Sequence, residues 1–89
     1  MSLDRHRVEQ GVMRIIEKGL GTTEVYLRTV IPKEFPGSSP EKLEEMEFEV
    51  ARKYNIDLNE LRRKYDVSEG SLLAHGVLPE DIIDYIHPI

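Results

Sequence analysis

Three histidines, His6, His75 and His87, and 17 carboxylates are the side chains of this chain that could ligate a metal ion or move a proton. On a helix, Asp84 and His87 would share a face at i and i+3. A zinc site needs three or four ligands in register, and no such set of spacings occurs. The chain has no cysteine, which excludes thiolate ligands, cysteine nucleophiles and disulfides and fits a reducing, cytoplasmic setting. No serine stands at a recognisable motif spacing from a histidine. The glutamates of residues 41–49 are spaced as a solvated helix face would space them, and a general acid or base would need a cleft around one of them. Gly19-Leu20-Gly21-Thr22-Thr23 superficially suggests a phosphate cradle, but it follows a helix and precedes a strand, the reverse of the order that aims N–H groups at an anion. It reads as a helix stop and a turn. The expectation is therefore a non-catalytic protein, with a small enzyme or enzyme subunit as an alternative; no catalytic residue, metal ligand or cofactor is assigned.

Binding is the chemistry that remains. The net charge of −5 is unevenly spread: residues 33–50 hold six acidic and two basic side chains, and residues 51–66 hold five basic and three acidic ones. Such a field favours solubility and basic partners, and leaves only a local patch for nucleic acid. Within the acidic segment Phe48 falls away from the apolar stripe of its helix, among Glu44, Glu45 and Glu49. An aromatic in that position is either covered by a neighbouring element or serves as an anchor in a protein interface. The leading expectation is a small interaction or regulatory protein, or an accessory subunit, that binds a protein partner through this acidic helix. Phe48, Glu44, Glu45 and Glu49 are its interface candidates.

The elements that would position these residues are signposted unevenly. Residues 3–19 read as a helix with Val8, Val12, Ile15 and Ile16 at helical spacing and Gly19 at its end. Residues 24–31 are rich in β-branched and aromatic types and read as a strand, with Val25, Leu27, Thr29 and Ile31 on one face and Tyr26, Arg28 and Val30 on the other. Residues 32–38 read as a loop. A helix from Pro40 to about Tyr54 has Ser39 as N-cap, Pro40 in its first turn, early glutamates and a late Arg52 and Lys53. Leu43, Met46, Val50 and Tyr54 form its buried stripe, with Glu47 close beside it. A buried Glu47 would need an Arg or Lys partner, or an exposed edge, to avoid a desolvation cost of a few kcal/mol. Asp57 through Glu60 has the capping-box form and opens a helix to about Tyr65. Residues 66–70 read as a turn or short helix, and residues 78–86 as a terminal helix with Leu78, Ile82, Ile83 and Ile86 inward.

Two stretches resemble DNA-binding families. Residues 58–72 resemble a helix-turn-helix, with Val67 and Leu72 at its apolar positions and Ser68 opening the recognition helix. Arg62, Asp66, Gly70 and His75 depart from that pattern. The order strand, helix, helix is similar to the ribbon-helix-helix family, with residues 25–29 as the ribbon and residues 51–61 as the junction between its helices. The loop before Ser39 and the preceding helix are departures. Either resemblance implies a dimeric DNA-binding regulator, with Arg28, Arg52, Lys53, Arg62, Arg63 and Lys64 as its phosphate and base contacts.

The fold expected is an α-rich α+β domain spanning residues 1–89, with four or five short helices packed on one strand or a small two-stranded sheet. A lone strand must satisfy its backbone, either against residues 71–75 or across the axis of a homodimer. No run approaches the roughly 18–20 apolar residues of a membrane span, so no membrane partner is expected.

Overall fold

The computed structural model describes residues 4–88, which form five α-helices and one short 3-10 turn. Helix α1 (Arg5–Leu20) starts where the Asp4 carboxylate accepts from the His6 N–H and stops at Gly21, which adopts a left-handed φ of 72° and donates its N–H to Glu17 O. The start expected at residue 3 lies outside the described residues. A single turn, α2 (Ile31–Glu34), has Pro32 in its first positions. In α3 (Pro40–Tyr54), Ser39 Oγ accepts from the Lys42 N–H, and Asn55 closes the helix in the left-handed region at φ 53°. Asp57 Oδ1 accepts from the N–H groups of Asn59 at 2.9 Å and Glu60 at 3.3 Å to open α4 (Leu58–Lys64). After the 3-10 turn (Leu73–His75), α5 (Pro79–Ile86) begins with Asp81 Oδ2 accepting from the Leu78 N–H at 3.0 Å.

The described residues contain no strand, so the molecule is all-helical rather than α+β. Residues 24–31 satisfy their backbone in another way. Tyr26 N–H donates to Thr29 Oγ1 at 2.8 Å, and Thr29 N–H returns a bond to Tyr26 O at 3.1 Å, which closes a turn. Leu27 O accepts from the Glu80 N–H at 2.9 Å, at the start of α5, and Ile31 enters α2. No ladder partner is then required. The alternation of faces nonetheless survives: Val25 and Ile31 are buried, Leu27 and Thr29 half-buried, and Tyr26, Arg28 and Val30 exposed. An extended segment lying on a core alternates whether or not a neighbour pairs with it. Leu73–His75 form the 3-10 turn instead of a second strand, so the described residues contain no internal sheet and residues 24–31 are not the strand that a ribbon across a two-fold axis would need.

The helix-turn-helix resemblance loses its second helix in the same region. Asp66 at φ 56° and Gly70 at φ 85° turn the chain after α4, and only the 3-10 turn follows where a recognition helix would lie.

The core is organised by α1, which packs on α3 and α5, while α2 packs on the 3-10 turn and that turn on α3. Helices α1 and α3 run antiparallel and close together at two glycine notches. A Cβ on Gly11 would stand 1.8 Å from the Tyr54 hydroxyl, and one on Gly19 would stand 2.4 Å from Met46 Sδ. Arg5 ties the start of α1 to the end of α5, with Nη1 donating to His87 O at 2.9 Å, Nη2 paired with Asp84, and Nε 3.4 Å from Glu9.

Candidate protein-docking surface

Helix α3 has two faces of unlike composition. The inner one buries Leu43, Met46, Val50 and also Glu47, which is 1% exposed. Among the described residues no Arg or Lys forms an ion pair with it, and it has no exposed edge. Ser71 Oγ instead donates to Glu47 Oε2, and the Leu72 N–H donates to Oε1 at 2.7 Å. The carboxylate thereby caps the 3-10 turn from across the core, a tertiary version of an N-cap. Burial pushes the Glu47 carboxyl above its ordinary value, against the pull of the Ser71 hydroxyl, the Leu72 and Leu73 N–H groups and the nearby Arg62 charge.

Glu47, Ser71 and His75 therefore lie together, the types a nucleophilic site would use, yet their geometry is that of a cap. His75 Nδ1 lies 2.7 Å from the carbonyl oxygen of Ser71, not its hydroxyl, and that hydroxyl also accepts from the Ala74 N–H at 3.2 Å. Ser71, like Glu47, is 1% exposed, out of reach of a substrate. At the other candidate pair, Asp84 is engaged by Arg5, and among the described residues no three His, Asp or Glu side chains converge as metal ligands.

The outer face of α3 carries Glu41, Glu45, Phe48 and Arg52, all exposed, with Glu49 and Lys53 along one flank and half-buried Glu44 along the other. Among the described residues no element buries Phe48, which keeps 47% of its surface in solvent. Glu45, Phe48, Glu49 and Arg52 line an open depression of about 610 Å³. Glu49 and Arg52 also border a second one of about 440 Å³ along the α1–α3 seam, floored by Ile15 and edged by Arg14, Lys18 and Lys53. The two form one surface, acidic toward the start of α3 and basic toward its end.

The six cations proposed for nucleic acid are divided. Arg52 and Lys53 join Arg14 and Lys18 at the seam. Arg62 and Arg63 border a separate depression with Asn59, Asp66, Val67 and Ser68. Arg62 is further committed to structure, with Nε donating to Gly70 O at 3.0 Å and Nη1 to Asn59 Oδ1 at 3.2 Å. Lys64 Nζ lies 5.8 Å from the centre of the Tyr65 ring, and Arg28 sits in the exposed Tyr26–Thr29 turn. Sequence reasoning missed Arg14 and Lys18, although with Arg7 they recur at spacings of seven and four along one stripe of α1. It also missed Ser71, which no local signal marks. Comparisons with protein-family models, with curated proteins and with solved structures found no match.

Proposed function

We propose that this chain is a small non-catalytic interaction protein, regulatory or accessory in kind, that docks a protein partner through the outer face of α3. Phe48 is the apolar anchor, and Glu44, Glu45 and Glu49 are its contacts to basic groups. The observation that carries this reading is the exposure of Phe48 on a helix whose Leu43, Met46 and Val50 are buried. Interface centres are enriched in aromatic side chains ringed by polar ones, the composition of this face. The reading includes a cytoplasmic setting, supported by the lack of cysteine. No described helix is long and apolar enough to cross a membrane.

The test is capture by immobilised chain from an extract. The wild-type bait is expected to retain a protein that Phe48→Ser and a Glu44→Lys, Glu45→Lys, Glu49→Lys triple variant lose. Equal retention by all three baits would remove this face from the account.

A second reading, nucleic-acid binding, draws on the seam. Arg14, Lys18, Arg52 and Lys53 edge one groove, and none of them belongs to an ion pair among the described residues. It requires salt-sensitive retention of labelled duplex fragments, and no retention at low salt would exclude it.

A further inference from the structure

Glu41, Glu45, Phe48 and Arg52 follow one another at spacings of four, three and four, which sets them in a single stripe along the outside of α3. The stripe is polar in sign: glutamates precede Phe48 and Arg52 follows it, with Lys53 and the α1 cations widening the basic end. The helix macrodipole accounts for early glutamates and late basic residues on any helix. It gives no reason for an exposed aromatic midway between them.

Resting on the reading that this face docks protein, we infer that its occupant is a second copy of the chain, with the two α3 helices packed antiparallel about a two-fold axis. In such a pairing, residues placed symmetrically about the axis face each other. An axis between Phe48 and Glu49 sets Glu45 of one copy against Arg52 of the other, twice, and brings the two Phe48 rings together between those pairs. The same face is thus its own complement. A parallel pairing would set glutamate against glutamate and arginine against arginine, so the charges select the antiparallel register.

The extent of the face sets the strength. Helix α3 has 15 residues and is about 22 Å long. A single helix pair of that length buries less than the roughly 800 Å² per partner of a standard stable interface, so the dimer is expected to be weak and reversible. Glu45, Phe48 and Arg52 are all exposed, so the chain folds without the contact and substitutions there report on association.

Sedimentation equilibrium of the full chain over a concentration series tests this. The wild type is expected to show a reversible monomer–dimer equilibrium whose Kd rises with salt, and Phe48→Ser to be monomeric throughout. Glu45→Arg and Arg52→Glu, each confirmed as folded by circular dichroism, are each expected to raise Kd by about tenfold or more by creating like-charge contacts. An equimolar mixture of those two variants is expected to form a heterodimer with a Kd near that of the wild type, because each supplies what the other lost. A monomeric wild type, a dimer indifferent to either reversal, or a mixture that associates no better than its components would overturn the inference. If the wild type is monomeric but Phe48 is still needed to retain a different protein from extract, the self-docking inference fails and the docking function stands. If neither occurs, both fall.

Discussion

Glu47 and Phe48 are consecutive residues of α3 with opposite environments: the carboxylate is 1% exposed and the ring 47%. Each faces the side that its chemistry disfavours. The difference between them is that the inner misfit is resolved within the chain and the outer one is not. Glu47 has found a hydroxyl and a backbone N–H, supplied by a turn that would otherwise begin with an unpaired donor. Phe48 is left with 47% of its surface in solvent. A buried carboxyl with its donors in place is a structural solution, whereas the exposed aromatic is the feature on which the docking proposal rests.

The comparison can be broken first on the inside. Glu47→Ala removes the acceptor for the Leu72 N–H, frees the Ser71 hydroxyl and leaves a cavity, so unfolding in denaturant is expected to show a loss of about 3 kcal/mol. A loss under about 1 kcal/mol would mean that the cap is dispensable. The next largest effect is expected at Gly19→Ala, whose new Cβ would meet Met46 Sδ and Cγ at 2.4 and 2.5 Å on the same inner face. Overpacking costs about 1–3 kcal/mol and helix propensity returns about 1, for a net loss of about 1 kcal/mol by the same measurement.

Smaller is the pH dependence of the cap. Because the folded state raises the Glu47 carboxyl above 4.5, its contribution to stability is present below that ordinary value and is lost as pH rises through the raised one. Glu47→Gln cannot titrate there, yet its amide can accept from Leu72 and donate to Ser71. The stability of wild type relative to Glu47→Gln is therefore expected to decline from acidic toward neutral pH, and a difference that stays flat across a denaturation series would contradict the cause assigned to the shift. Smallest in stability is the outer face, where Phe48→Ser is expected to stay within about 0.5 kcal/mol of wild type while abolishing association. A large loss of stability there would show that Phe48 is packed after all.

What was legible in the sequence divides along the same line. Ser39, Pro40 and Asp57 announced their helix ends because capping is local, involving partners two or three residues away. The outward position of Phe48 could be read from periodicity alone. Residues 24–31 were legible in their faces but not in their state. β-branched composition and alternation describe an extended chain on a core, and they do not reveal that Thr29 and the start of α5 take the hydrogen bonds a neighbouring strand would have taken. The Glu47 cap was illegible because its partners, Ser71 and Leu72, lie 24 and 25 residues away and meet it only once α3 and the 3-10 turn have packed. The seam cations of α1 were hidden for a similar reason, since Arg14 and Lys18 join Arg52 and Lys53 only through the antiparallel packing of two helices.

The central claim is that the two sides of α3 differ in kind, one closed within the chain and the other completed by another molecule. A dilution series followed by nuclear magnetic resonance addresses it without any substitution. As concentration falls, the Phe48 ring and the side chains of Glu45 and Arg52 are expected to shift together along one binding curve, while the Leu72 amide held by Glu47 stays fixed. Concentration-independent Phe48 resonances, or shifts centred away from α3, would contradict self-docking at this face.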